Sequence, residues 1–374
     1  MSEDIKYTEK KSIPRAVKII YCITAFCALL YISFILFPAF SDFFNRYVSS
    51  FFRAVPAYIT NIIPFSLAEF IIILLPLILF LAIRYGLIHY SASWRDVGIY
   101  CLSVCAIAAI IFSSFTLSFA AGYRGSSLSD KLAFDEVEIN KDTLYATAIY
   151  LSEMAAAEID EIGFGADDLS VMPYNYNELN DKLLASYDKA CEKYTFIQKL
   201  HSKVKPVMLS DLMSYTHITG VYTFFTGEAN INIAFPDYTI PFTAAHELAH
   251  QRGIAREDEA NFIAFLVCTE SDDPYIRYSG YLYVYNYVAS ALYKTDYELY
   301  KSAYFSLPED IRLEKIAYSK FFDKYKDSVA SNVSETVNNT FLTIQWTEGT
   351  ISYDMVTDIA VRYYYNTIAT EDQS

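Results

Sequence analysis

Two histidines four residues apart, with a glutamate between them, are the residues of this chain best spaced to do chemistry: His246-Glu247-Leu-Ala-His250. The whole chain has five histidines, so two within one helical turn is a local concentration of imidazole. Four residues of α-helix turn through ~400°, which sets both rings on one face about one turn apart. A single tetrahedral zinc ion can take both ring nitrogens and keep a position open for water. Glu247, next to His246, can reach that water as a general base. His246 and His250 are therefore candidate zinc ligands, and Glu247 is the candidate catalytic residue.

The third ligand has to come from outside this helix. Arg256 stands six residues after His250, where a longer zinc motif places a third histidine, and a guanidinium cannot bind zinc. Glu257 follows directly, with Asn261 four residues on. This Glu-x-x-Ala-Asn run resembles the Glu-x-x-x-Asp/Asn helix of the thermolysin-like gluzincins. The resemblance implies Glu257 as a ligand and Asn261 as the residue that holds a ligand histidine by a hydrogen bond; i, i+4 spacing lets both face the zinc helix. Asp258 and Glu259 then point elsewhere. Only residues 251–256 separate the two helices, far fewer than in that family, so Gly253 must make a tight turn. Reading the histidines as two solvent-facing groups on an amphipathic helix leaves both Gly253 and the carboxylates after it unexplained.

The elements that position these groups follow from periodicity. Strand character begins at Pro206 and runs on to Gly227. In Glu228–Phe235, Ala229, Ile231 and Ile233 alternate with Asn230, Asn232 and Ala234, the pattern of a half-buried strand. As an edge strand, Ala229–Ala234 could pair with an extended peptide, with Asn230 and Asn232 as substrate contacts. Thr243 is expected to cap the helix that carries His246. Helical patterns over Lys141–Glu161 and Glu178–Leu200 read as scaffold. Others follow over Ala260–Cys268, over the tyrosine-rich Tyr275–Tyr293, and on to about Tyr365. An oxyanion donor could come from His217, Tyr222, Arg277, Tyr278 or Tyr281; His217 and Tyr278 are also candidate substrate-binding residues.

The site is expected to sit beside a membrane. The chain of 374 residues is 53% hydrophobic with a mean hydropathy of +0.19. Three apolar runs, about 17–38, 67–83 and 99–119, each approach the ~20 residues that cross a bilayer. Lys6, Lys10, Lys11, Arg15 and Lys18 precede the first run, and the short second loop carries Arg84 and Arg95. The longer first loop has only Arg46 and Arg53. Basic residues favour the cytoplasm, which predicts a cytoplasmic N-terminus and an extracytoplasmic C-terminal unit in a multi-pass protein of the cell membrane. The first run is too long for a cleaved signal peptide and is followed by no small-x-small site. The first loop is rich in aromatics, suited either to the membrane interface or to packing beneath the C-terminal unit. Glu69, at the start of the second span, is either a functional group or a solvated one.

Two units are thus expected: a membrane domain, 1–120, and a zinc-binding domain, 121–374. The first holds nine Lys/Arg against six Asp/Glu (+3), the second 20 against 38 (−18). So acidic a second unit excludes nucleic acid as a partner and leaves the lipid bilayer and a peptide or protein substrate. Cys191 and Cys268 are the cysteines outside the spans, either bonded to each other or two separate thiols, and no Cys-x-x-Cys offers a thiolate zinc site. Gln251, Arg252, Arg256, Glu257 and Asp258 crowd the histidines, which excludes an intramembrane site.

Thr226-Gly-Glu-Ala-Asn, Pro241–Gly253, Arg256-Glu-Asp-Glu-Ala-Asn-Phe and Tyr278-Ser-Gly-Tyr, with Pro64–Glu69 and the three spans, resemble a bacterial family of unknown function, number 3810. Its members are regarded as membrane zinc peptidases. The expectation is therefore a mainly α protein: three N-terminal transmembrane helices, then a mostly helical, zincin-like domain with a small β-sheet. Its expected activity is zinc-dependent peptide hydrolysis. A non-catalytic zinc protein serving as an envelope sensor or scaffold is the alternative.

Overall fold

A computed structural model of the chain describes residues 11–325, 328, 330–336 and 352–369. Lys6 and Lys10, part of the orientation argument, lie outside them. The first third folds as α1 (Arg15–Leu36), α2 (Pro38–Phe44), a π turn at Asn45–Ser49, α3 (Ser50–Asn61), α4 (Leu67–His89) and α5 (Trp94–Ser118). Helices α1, α4 and α5, of 22, 23 and 25 residues, are long and apolar enough to cross a membrane. The second was expected to stop at Ile83; it runs on to His89, because Arg84 and Tyr85 continue a helix whose apolar stretch has ended. The aromatic first loop is also helical, as α2 and α3. Helix α1 packs on α5, where Thr24 Oγ1 meets Ser113 Oγ at 3.1 Å.

Beyond these lie α6 (Leu128–Leu132), α7 (Lys141–Ala157), α8 (Tyr176–Lys193), β1 (Lys205–Pro206), α9 (Ser210–Ser214), β2 (Gly220–Thr223), β3 (Glu228–Ile231), α10 (Thr239–Gln251), α11 (Glu257–Thr269), α12 (Pro274–Thr295), α13 (Tyr297–Ser306) and α14 (Glu309–Asp323). A further helix spans Ser352–Tyr363. Local chemistry sets the starts of α7 and α8. Asn140 and Asn175 each accept two amides of the first turn, and Thr143 and Glu178 reach back to the cap amides. Helix α10 begins at Thr239, four residues before the expected cap at Thr243. Pro241 falls in its first turn, where a missing N–H costs nothing, so the helix can start ahead of the proline.

The mixed sheet has the order β1-β3-β2, with β1 parallel and β2 antiparallel to β3. The expected edge strand at Ala229–Ala234 is therefore the central one, and it ends at Ile231. All four residues of β3 are buried, not alternately exposed, because α10 packs against it and α3 meets it as well. The edge strands are β1 and β2, and β2 is the one that lies over Glu247. Around the sheet the core is helical: α7, α11 and the helix Ser352–Tyr363 pack on α12, and α10 on α11. Tyr275, Tyr278 and Tyr285 of the aromatic stretch lie fully inside it. Cys191 and Cys268 are both free thiols.

The two sequence units share a hydrophobic cluster of Phe34, Phe44, Phe115, Phe119, Tyr123 and Ala255. Polar groups fasten the same junction. Glu228 of β3 accepts the Leu67 and Ala68 amides at 3.0 and 2.9 Å, capping α4, and pairs with Lys205 at 2.6 Å. Glu69 is buried and accepts the amides of Met208 and Leu209 at 2.9 and 2.8 Å, so it is not a solvated group but one that fastens residues 208–209 to α4. Arg53 of α3 is also buried. It donates to Asn45 Oδ1 (2.7 Å), the carbonyls of Asn45 (3.0 Å) and Ser118 (2.8 Å), and Gln198 Oε1 (3.1 and 3.2 Å). Its guanidinium lies so close over Gly253 that a β-carbon there would stand 2.5 Å from Cζ. Arg53→Ala strips donors from four acceptor atoms on three residues, a loss of roughly 3–5 kcal/mol. The unfolding midpoint of the full chain in detergent should fall by several degrees; an unchanged midpoint would show that the guanidinium does not hold this turn.

Candidate metal centre

The helix that carries the histidines is fixed along its buried side. Tyr187 of α8 donates to the Ala245 carbonyl at 2.5 Å. Gln251 reaches the Gly227 carbonyl at 2.7 Å and Ser202 at 3.1 Å, and the Arg252 guanidinium stacks 3.9 Å over the Tyr187 ring. After Arg252 the backbone reverses through Gly253 at φ +93°, a conformation that favours glycine. The Ile254 amide returns to the Ala249 carbonyl at 3.1 Å, and α11 then begins at Glu257. Asn45 donates to the Gly253 carbonyl at 3.0 Å, and Gly122 is close-packed against that same carbonyl.

This turn delivers Glu257 to the two imidazoles. Glu257 Oε2 lies 3.2 Å from His246 Nε2 and 3.5 Å from His250 Nε2, and donor atoms of all three residues fall within 4.8 Å of one another. Two ligand atoms ~2.1 Å from one tetrahedral ion stand ~3.4 Å apart, so the two nitrogen–oxygen distances suit zinc. The donor set, two imidazoles and one carboxylate, is a zinc set as well. His250 Nδ1 donates to the Ile254 carbonyl at 2.7 Å, which leaves Nε2 as the nitrogen available to a metal. Burial works against a charge on His250, but the Glu257 carboxylate outweighs it and raises the imidazole to about 9 without metal. Glu257 is likewise opposed by burial and held well below the usual carboxylate range by the two histidines.

Glu247 is buried beside this group, and its Oε2 has no hydrogen-bond partner among the described residues. Burial pushes its carboxyl up to about 7; the two histidines and the Tyr222 amide pull the other way. The strand that covers it is β2. A β-carbon at Gly220 would stand 2.6 Å from Glu247 Oε1, so only glycine allows this approach. Gly220→Ala must push the carboxylate aside. Metal content should stay at the wild-type level while any hydrolytic turnover falls about ten-fold or more, the scale on which ~1 Å misplacements act; undiminished turnover would show that the position of Glu247 tolerates the shift.

The remaining candidates are placed as follows. Asn261 is buried on α11 but makes no hydrogen bond to either histidine, and His246 Nδ1 is buried without a partner among the described residues. Asn230 donates weakly to the carbonyls of Val221 and Glu228 at 3.3 and 3.4 Å. Asn232 binds Ser214 and the Ile218 carbonyl, both at 3.1 Å, and so holds the approach to β2. Tyr278 donates to Glu314 in the core, and Arg277 pairs with Glu158 at 2.6 Å. Tyr281 packs on Phe265. His217 meets the Tyr325 carbonyl at 3.0 Å and lines a cavity of about 470 Å³ with Thr219, Tyr283 and Lys315. Tyr283 stacks on Phe242 at 4.0 Å, four residues before His246. Of the proposed oxyanion donors, Tyr222 adjoins Glu247: its amide serves that carboxylate and its ring lies 5.2 Å from Phe119, which is itself 5.9 Å from the His250 ring.

Sequence reasoning passed over Gly220, Arg53, Asn45 and Phe119. The available signal at Gly220 was a glycine opening a strand, which marks a close approach. The other three carry no motif.

The family described as "Protein of unknown function (DUF3810)" matches residues 40–361. The chain belongs to that family. The matched region takes in α3, α4 and α5 together with all of the metal-centre residues. No curated protein and no solved structure matches the chain.

Proposed function

We propose that this chain is a membrane-anchored zinc metallopeptidase whose site faces away from the cytoplasm. The observation that carries the reading is the convergence of His246, His250 and Glu257 beside a buried carboxylate, Glu247, that none of them consumes. His246, His250 and Glu257 would hold the ion. Zinc, when bound, supplies Lewis acidity to a carbonyl and acidity to a water. The protein's own part is Glu247, which accepts a proton from the attacking water and returns it to the leaving amine. The free side of β2 offers main-chain N–H and C=O groups that can align an extended peptide next to Glu247. The Lys and Arg clustered around the start of α1, with Arg84 in the later part of α4 and Arg95 in the first turn of α5, support an extracytoplasmic site.

The test uses the full chain purified in detergent. One zinc per chain is expected, with cleavage of an unstructured polypeptide that stops on chelation and returns on adding zinc. Zinc bound at that stoichiometry without cleavage would turn the reading toward a non-catalytic zinc sensor or scaffold.

A further inference from the structure

An apolar surface continues from the spans onto the segment that ends in β2. Met208 (65% exposed), Leu209 (45%), Leu212 (65%), Val221 (43%) and Phe225 (43%) all present large side chains outward. Three contacts fix where this segment lies. Glu69, in the first turn of α4, takes the amides of Met208 and Leu209. Thr60, at the end of α3, donates to the Thr226 carbonyl at 3.2 Å. The Phe224 ring meets Phe115, near the end of α5, at 5.3 Å. The patch is therefore pinned to the ends of α3, α4 and α5, and the exposed apolar side chains of α4 carry the same surface onward into its first turns. A patch of this kind, continuous with three apolar helices that can cross a bilayer, is matched by the acyl chains of that same bilayer.

The metal ligands share this level. His250 is one ring contact from Phe119, the residue that caps α5, and Tyr123 just beyond it feels the charge of Glu257. We infer that residues 208–225 rest in the lipid interface, so that β2 runs along the membrane surface and the substrate is a polypeptide tethered to the same membrane, cut close to its anchor. This rests on the peptidase reading and adds the substrate class to it. A free chain has to find β2 from solution. A tethered chain is already confined to the layer in which β2 lies, which raises its effective concentration there. An extended chain advances ~3.3 Å per residue, so about six residues reach ~20 Å, well past the ~5–8 Å headgroup layer of one leaflet, and cleavage should fall within about that many residues of the anchor.

Two measurements on the full chain in phosphatidylcholine–phosphatidylglycerol vesicles test this. The first is depth. In a Trp94→Phe, Trp346→Phe background, tryptophan placed by Leu212→Trp should be quenched strongly by lipid brominated on its acyl chains, and tryptophan placed by Val171→Trp should not. Equal, weak quenching at both positions would overturn the inference whatever the activity. The second is cleavage of one unstructured polypeptide supplied free, or with a palmitoyl chain at either end. One anchored form should be cut at least ten-fold faster than the free form, within about six residues of its anchor, and Leu212→Glu should remove that advantage without slowing cleavage of the free form. Equal rates for free and anchored forms, or cuts scattered along the chain, would overturn the inference and leave the peptidase reading standing. Strong quenching with no cleavage of any form would sink the peptidase reading, and the substrate class with it.

Discussion

Replacing Glu247 by glutamine is expected to lower turnover by about 10²–10⁴ while the bound zinc stays. The amide has the volume of the carboxyl, so the packing under β2 survives. The ligand set is untouched, because the metal-facing contacts belong to His246, His250 and Glu257. What disappears is the ability to accept a proton. Burial already lifts Glu247 to about 7 in the metal-free chain, so its environment does not hold it permanently ionised. Zinc content and kcat measured on the same preparation separate the two effects. Full turnover in the variant would remove Glu247 from any chemical role.

The second large effect concerns the third ligand, where neighbouring carboxylates invite comparison. Glu257→Ala is expected to weaken zinc binding by about three orders of magnitude, roughly a quarter to two-fifths of the ~10–16 kcal/mol that structural zinc sites provide. Glu259→Ala should leave zinc binding alone. Glu259 is buried, takes the Leu128 amide at 2.9 Å and lies 3.6 Å from Arg256, so its loss acts on stability at the foot of α6. Competition titration with a chromophoric chelator distinguishes them. Zinc lost in the Glu259 variant and kept in the Glu257 variant would reassign the site.

What the sequence disclosed here follows the range of each interaction. The spacing of His246, Glu247 and His250 and the apolar runs are local patterns, and they could be read directly. So could the tight turn at Gly253, since six intervening residues leave no other path. The edge strand was misassigned because alternation in Glu228–Phe235 reports side-chain pattern and not the neighbours on either side. β3 is flanked by Lys205–Pro206, too short a strand to leave a periodic trace, and by Gly220–Thr223. The cap was expected at Thr243, although Pro241 fits a first turn and so marks an earlier helix start. Arg53 counted only as a charge in a loop. Its real environment is assembled from Asn45, Ser118, Gln198 and Gly253, residues that the sequence gives no reason to bring together.

That buttress bears on how the molecule is made. Arg53 and Asn45 are synthesised some two hundred residues before the glycine they brace, and Phe119 well over a hundred before the histidine it touches. The bend that swings Glu257 onto the imidazoles can be braced only when the first helices have already found their places in the lipid. If the centre takes zinc as proposed, biosynthesis thereby sets an order: insertion comes first and metal loading second. A chain stranded before insertion carries every ligand in its sequence but lacks the brace that holds them together.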